Sequence, residues 1–170
     1  MNLKGVCYDV GHVFGGGVIR VTTRASFDAK TTHRELEIIK NDLHCNAVRI
    51  GGRHIGRLIA ASEDALRQGL EVWLSPAMFD ESQQATLGYL ATAATAAERS
   101  QQRWPGRLVF VAGGESTLFM RGIVPGATLT KRFAHLRRDL RTGHHVQPFR
   151  DFLTRANDTV RHVFHGRVRT

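Results

Sequence analysis

Leu108-Val109-Phe110-Val111-Ala112-Gly113-Gly114-Glu115 is the stretch that decides the fold of this 170-residue sequence. A short apolar run that ends in glycines is typical of a buried parallel strand. Because side chains alternate along a strand, Glu115 shares a face with Val109 and Val111. It stands at the carboxyl end of the strand, where α/β proteins place their chemistry. Glu115 is therefore a candidate catalytic residue, and the alternative is a helix cap or an ordinary ion pair.

Three other apolar segments, each followed by a helical pattern, precede this strand. The segments are residues 6–10, 46–50 and 70–76. Such alternation predicts parallel strands joined by crossover helices, hence a single α/β domain over residues 1–170. Two more helices and the opening of a fifth strand, at 166–170, follow Glu115. The sequence thus contains about four βα units plus the start of a fifth strand.

Individual side chains indicate where these elements begin and end. Thr32 to Glu35 fits a capping box, and Pro148 is expected at the first position of the last helix. Residues 80–82 form a polar turn that opens an alanine-rich helix, and residues 116–126 are expected to fold as a loop over the strand ends.

The charge of the chain is concentrated near its carboxyl terminus. The formal net charge is +9, and residues 131–170 hold ten Lys or Arg against three Asp, a balance of +7. Such a segment suits an anionic partner such as nucleic acid, or it forms a solvated helix face. We favour the solvated face, with nucleic acid as the less favoured partner.

Cysteine usage and the amino terminus bear on the cellular compartment. Cys7 and Cys45 lie beside predicted strands and are expected to be buried thiols rather than a disulfide. The chain enters a strand at once, without a signal-peptide pattern, and no apolar run approaches the ~18–20 residues of a membrane span. We expect a cytoplasmic protein with no membrane partner.

Candidate binding residues lie near the ends of the other strands. Asp9 ends the first strand, and His12 follows it in the glycine-rich loop 11–17. Arg49 lies inside the second strand, where an arginine is costly unless it meets an anion. Its structural alternative is an ion pair that closes the end of the sheet. Trp73 and Ser75 share the inward face of the third strand, where Trp73 is either core or the floor of a sugar or base platform.

Cofactor motifs are weak in this sequence. The glycine loop 11–17 lacks the Walker spacing and the G-x-G-x-x-G pattern. His162 and His165 have a spacing that suits a metal, but no further ligand with recognisable spacing accompanies them. We therefore expect no metal and no cofactor.

The strand sequences resemble the N-terminal half of TIM-barrel glycoside hydrolases of the cellulase and mannanase-like superfamily. The first strand there reads Gly-Val-Asn, and Gly5-Val6-Cys7 stands here; the second reads Asn-x-Val-Arg-Ile, matched by Asn46-Ala47-Val48-Arg49-Ile50. The third has a Gly-Leu-x-Val entry, as in Gly69-Leu70-Glu71-Val72. The fourth ends in Asn-Glu, whereas this chain has Gly114-Glu115, so the Asn is absent.

This resemblance implies a partial (β/α)8 barrel with Glu115 as the general acid/base and Arg49 supporting the catalytic carboxylates. The sequence is also similar to uncharacterised actinobacterial proteins labelled abortive infection, a label that implies phage defence. Glycoside cleavage needs two carboxyl groups, ~5–5.5 Å apart for retention and ~6.5–9.5 Å for inversion. In the family the nucleophile lies on the seventh strand, which is absent here, so Asp9 is the candidate second carboxylate. Asp80 and Glu81 are expected to cap a helix instead.

Half a barrel leaves two sheet edges and one sheet face uncovered. We therefore expect either a truncated chain or a homodimer that completes a barrel, with glycosidase activity only where the barrel is completed. The competing hypothesis is a non-catalytic defence or nucleic-acid-binding protein that uses the basic C-terminal segment.

Overall fold

The computed structural model describes residues 2–15, 21–114 and 116–170, with the side chain of Thr117 left aside. Its strands are β1 (Gly5–Asp9), β2 (Val13–Phe14), β3 (Val21–Thr22), β4 (Ala47–Gly52), β5 (Glu71–Pro76), β6 (Leu108–Val111) and β7 (Arg167–Arg169). Its helices are α1 (Ala29–Asn41), α2 (Ile55–Arg67), α3 (Gln83–Arg103), α4 (Ser116–Phe119), α5 (Leu129–Asp139) and α6 (Val146–Arg161). Across these ranges, no helix combines the length and the apolar character that a membrane crossing requires.

Five strands form one parallel sheet in the order β1-β4-β5-β6-β7. Helices α1, α2 and α3 each connect one strand to its neighbour, and α4 to α6 together connect β6 to β7. The predicted α/β alternation is therefore confirmed, including the fifth strand. Spatial order follows chain order, as expected when every crossover has the same hand.

One face of the sheet carries the hydrophobic core. Alternate strand residues are buried there against side chains of α1, α2, α3 and α6. The buried strand residues are Tyr8, Val48, Ile50, Val72, Leu74, Leu108, Phe110 and Val168. The predicted apolar stripes supply the helix side of this core, for example Leu36 of α1, Leu58 of α2 and Phe152 of α6.

The opposite face, which we call the open face, carries a different set of side chains. One row runs in register across it: Cys7, Arg49, Trp73, Val109 and Arg167. Within this row Val109 is nearly inaccessible to solvent, whereas Cys7, Arg49 and Arg167 are exposed. Charged side chains therefore interrupt the apolar positions of this face, and it is not the large apolar patch that a bare half barrel suggests.

The amino end of the open face is closed by one carboxylate. Glu71 on β5 accepts a hydrogen bond from Trp73 Nε1 at 2.8 Å and pairs with Arg167 Nη2 on β7, also at 2.8 Å. The ion pair therefore bridges β5 and β7 across β6, where Val109 lies between Trp73 and Arg167 in register.

Several local expectations were wrong. Helix α1 is capped by Asp28, whose carboxylate accepts a hydrogen bond from the Thr31 N–H at 2.6 Å, so Thr32 lies inside the helix and is buried. Pro148 is the third residue of α6 rather than the first. Cys7 is exposed, because its strand position points it to the open face; Cys45 is buried as expected.

Two loops contain more structure than the sequence indicated. The glycine-rich segment after β1 includes β2, which pairs antiparallel with β3, while residues 16–20 of that segment lie outside the described ranges. The expected loop 116–126 begins with the single-turn helix α4, and its apolar residues Met120, Ile123 and Val124 are buried as part of the core.

Candidate functional site

A cavity of about 270 Å³ opens at the carboxyl ends of β1, β4 and β5. It brings together four residues that the sequence singled out: Asp9, His12, Arg49 and Ser75. The fold explains their proximity, because parallel neighbours end at the same edge of the sheet. Asp9, Gly51 and Ser75 are partners in register across β1, β4 and β5. All three positions belong to the open face, which borders the cavity at this end of the sheet.

Asp9 is held by three neighbours from the loop that follows β1. Its Oδ1 accepts a hydrogen bond from the Gly11 N–H at 2.7 Å and lies 2.9 Å from His12 Nδ1. Burial alone would raise the pKa of the Asp9 carboxyl, but hydrogen bonds from Thr23 and Gly11, with His12 beside them, bring that pKa below its ordinary value. Asp9 is therefore an ionised carboxylate at neutral pH.

The His12 ring lies between a strand and an aromatic side chain. It stacks on Phe79 with ring centroids 5.5 Å apart and planes 12° apart. On its other side lies Gly51, where a Cβ atom would come within 3.0 Å of His12 Cε1. Glycine at position 51 therefore leaves room for the imidazole over the strand end.

Three phenylalanines form what we call the aromatic wall: Phe14, Phe79 and Phe119. Phe79 stacks on Phe14 with centroids 4.7 Å apart and contacts Phe119 at 4.6 Å. Phe14 and Phe79 line the cavity with His12. They also line a neighbouring cavity of about 510 Å³, which Phe119 lines as well. The aromatic wall therefore gives the site an apolar, π-rich side next to the His12 ring.

Arg49 reaches across the sheet from β4. Its Nη2 donates a hydrogen bond to Ser75 Oγ at 2.9 Å, on the adjacent strand. A Cβ atom at Gly114 would lie only 2.7 Å from that same Nη2. Arg49 was expected to be buried within its strand. It is exposed instead, because its strand position faces the open side of the sheet. Among the carboxylates that the structure describes, none lies within ion-pair distance of Arg49.

Two predicted site residues stand apart from this group. Glu115 lies outside the described residues, although the preceding Gly114 lines the cavity. Trp73 shares the open face but lies two residues closer to the amino end of β5 than Ser75. Its indole N–H binds Glu71, and it does not contribute to the cavity lining that the structure describes.

The acidic pair after β5 has a structural role. Asp80 pairs with Arg132 at 2.8 Å, and Glu81 lies 3.4 Å from Arg53. The cap of α3 is instead Ser82, whose hydroxyl accepts the Ala85 N–H. The sequence reading that placed Asp80 and Glu81 at the helix cap was therefore wrong by one residue.

Sequence reasoning missed the aromatic wall and the network behind the site. Phe14 and Phe79 follow no helical or strand period, and the available signal was only that each comes shortly after a strand. Tyr8, which also lines the cavity, donates a hydrogen bond to Glu35 and accepts one from Arg24 at 2.8 Å. Burial raises the pKa of the Tyr8 hydroxyl, and the bond to Glu35 raises it further.

Within the described ranges, no group of three or more His, Cys, Asp or Glu is arranged to hold a metal ion. No protein-family model matches this chain, and no curated protein matches it significantly. The resemblance to glycoside hydrolases therefore stays a prediction from the strand sequences.

Proposed function

We propose that this chain is a glycoside hydrolase-like half barrel that binds carbohydrate in the cavity at its strand ends. The observation that carries the proposal is the cavity itself, which gathers Asp9, Arg49 and Ser75 from three neighbouring parallel strands and His12 from the loop after β1. TIM-barrel enzymes build their active sites at this end of the sheet.

The sheet topology supports a partial (β/α)8 barrel over a doubly wound sheet. A doubly wound sheet reverses its strand order and places helices on both faces. Here the order β1-β4-β5-β6-β7 never reverses, and the helices of the core pack on one face. In a barrel the open face would become the interior, with Glu71, Trp73 and Arg167 among the side chains that fill it.

Each residue then has a chemical role. Glu115 is the general acid/base that the resemblance implies, and Asp9 supplies an ionised carboxylate at the same end of the sheet. Arg49 lies against Gly114, next to Glu115, and holds Ser75, so its remaining guanidinium donors suit sugar hydroxyl oxygens or a carboxylate. The aromatic wall offers an apolar surface for the C–H face of a sugar ring.

Cleavage needs a second carboxyl group across the bond, at the separations that distinguish retention from inversion. We propose that a second copy of the chain, or further barrel strands, completes the enclosure, and that hydrolase activity depends on this completion. Until then the site acts as a carbohydrate-binding site. The alternative proposal is a non-catalytic protein of phage defence, as the resemblance to abortive-infection proteins implies.

The test is carbohydrate binding by saturation-transfer NMR across a panel of mono- and disaccharides, followed by a screen of 4-nitrophenyl glycosides. We expect at least one sugar to give a signal that is lost in Arg49→Gln and in Asp9→Asn. Matched controls are Arg99→Gln and Asp42→Asn, which replace exposed residues away from the cavity. If no sugar gives a signal that is lost in Arg49→Gln and Asp9→Asn but kept in the two controls, the proposal is wrong.

The salt dependence of binding distinguishes the competing hypothesis, a nucleic-acid-binding protein, from the carbohydrate-binding proposal. Binding through phosphate contacts weakens steeply as salt rises, because counterions are released on binding. Recognition of a neutral sugar by hydrogen bonds and aromatic contacts changes little over the same range. Oligonucleotide binding that survives Arg49→Gln but disappears between 50 and 200 mM salt, roughly a thousandfold loss for six or more contacts, would favour the alternative.

A further inference from the structure

Helix α5 leaves a line of large apolar side chains in solvent. Leu129, Phe133 and Leu140 expose 40%, 53% and 67% of their surface. Their spacing of four and seven residues places them along one side of the helix. We call these three residues the α5 ridge. Isolated exposed apolar residues are ordinary, but three in line on one short helix form a surface.

Cations lie around the helix that carries the α5 ridge. By the same helical spacing, Arg137 and Arg141 lie beside the ridge, whereas Lys131 and Arg138 lie on the opposite side of the helix. Lys131, Arg137 and Arg138 on α5, and Arg141 just after it, are all exposed, and none forms an ion pair with the described carboxylates. The one acidic residue of α5, Asp139, turns away from this surface.

The contacts of Asp139 show where its charge is used. It accepts hydrogen bonds from the Thr142 hydroxyl at 2.7 Å and the His145 N–H at 2.7 Å, and it is mostly buried. The exposed surface of α5 and its end therefore carries four positive charges, and two of them, Arg137 and Arg141, lie beside the apolar line. The inward side is fixed by Arg132, which is buried against Asp80.

We propose that the α5 ridge and its cations dock this protein onto an anionic lipid membrane surface. An interfacial helix of this kind buries its apolar side at the headgroup boundary while Lys and Arg reach anionic headgroups. Long arginine side chains suit this geometry, since their stems cover apolar surface while the guanidinium stays with the phosphates. The proposal does not depend on the carbohydrate site.

Two other occupants fit the surface less well. Nucleic acid would use the four cations but would leave Leu129, Phe133 and Leu140 without a partner. A second copy of the chain seated on the ridge would bring Arg137 and Arg141 against the same two cations of its partner, which costs free energy unless an anion lies between them. The sequence suggested no membrane partner because no segment is long enough to span. A helical sequence pattern alone does not show which side of α5 is covered by the core. The structure shows that side and leaves the α5 ridge in solvent.

The experiment is vesicle co-sedimentation with the full chain. One set of vesicles is pure phosphatidylcholine, and the other contains 30 mol% phosphatidylglycerol. We expect binding to the anionic vesicles only, and a loss of affinity of about tenfold or more in a Phe133→Ser/Leu140→Ser double variant, since the ridge supplies the buried apolar area. Arg137→Gln/Arg138→Gln should weaken binding by about thirtyfold, at about 1 kcal/mol per cation near the membrane surface.

Matched controls make the same kinds of substitution at exposed residues outside α5. Leu43→Ser removes an equally exposed leucine after α1, and Arg34→Gln an exposed cation on α1; both should bind like the wild type. Circular dichroism confirms that each variant is folded. Equal sedimentation of the ridge variant and the wild type overturns the proposal. The absence of vesicle binding overturns it as well. In that case a dimer in light scattering that Phe133→Ser breaks would indicate a second copy as the partner. Oligonucleotide binding that Phe133→Ser leaves intact would indicate nucleic acid.

Discussion

The guanidinium of Arg49 occupies the space that a side chain on Gly114 would need. A Cβ atom at Gly114 would lie 2.7 Å from Arg49 Nη2 and 3.4 Å from Ser75 Oγ. Because Arg49 Nη2 is the end of a flexible side chain, Gly114→Ala is expected to move Arg49 rather than to unfold the sheet. We predict a small change in the free energy of unfolding, under about 1 kcal/mol, together with loss of sugar binding.

The arginine side-chain region of a ¹H–¹⁵N spectrum checks this displacement, with Arg49→Lys used to assign the signal. Gly88→Ala is the matched control, since Gly88 lies exposed inside α3 with open space around it. That control should stabilise the protein by about 0.5–1 kcal/mol through helix propensity and leave the Arg49 signal in place. An unchanged Arg49 signal in Gly114→Ala would contradict the close contact.

Arg132 is the most deeply buried charged side chain in the described part of the chain, with 1% of it exposed. It donates to Asp80 Oδ1 at 2.8 Å and to the carbonyl of Leu118 at 2.9 Å. Arg132→Met leaves these acceptors without their donor, so we predict a loss of about 3 kcal/mol of unfolding free energy in urea titrations. Arg121→Gln removes the other cation beside Asp80, 55% exposed and 3.5 Å away, and should cost under about 1 kcal/mol. Similar losses in both variants would show that burial is not what matters at Asp80.

The sequence predicted the parts of the fold that follow from periodicity. The apolar alternation of β4 placed Arg49 on the face opposite Val48 and Ile50, and the structure keeps that arrangement. The polar turn before α3 correctly indicated its start, with Ser82 as the cap. Asp9 was expected at the carboxyl ends of the strands, and the structure places it in the cavity there together with Arg49 and Ser75.

What the sequence could not predict depends on loops and on partners distant along the chain. Arg132 falls in a basic helical stretch that looks solvated, yet Asp80 reaches it from 52 residues away. Asp80 itself has a φ angle of 59°, in the left-handed region, and no local sequence pattern predicts this conformation. Likewise Asp28 caps α1 although Thr32 and Glu35 form a plausible capping box. Glu35 instead binds Tyr8 and Arg24, a tertiary contact that overrides the local motif.

Asp9 should make stability depend on pH in a defined window. Its pKa in the folded protein is lowered below the unfolded value, so the stabilisation from the ionised carboxylate is present above about pH 4 and is lost as pH falls through the folded-state pKa. We predict that Asp9→Asn lowers the unfolding free energy at pH 6 and that the difference from the wild type shrinks on acidification toward pH 2.5. Urea titrations at several pH values measure both curves. A difference that stays constant with pH would show that Asp9 gains nothing from its charge.

Cys7 reports on whether two half barrels pair through their open faces. Cys7 is exposed in the middle row of that face, whereas Cys45 is buried in the core, so the monomer should show one fast and one slow thiol. A dimer that closes a barrel would cover Cys7. We therefore predict that the fast reaction with a thiol reagent such as DTNB slows as protein concentration rises, in step with a doubling of the mass by light scattering. Cys7→Ser removes the fast phase and serves as the control that assigns it, while Cys45→Ser leaves the fast phase in place. A dimer in which Cys7 stays fully reactive would mean that the copies associate elsewhere and leave the open face uncovered.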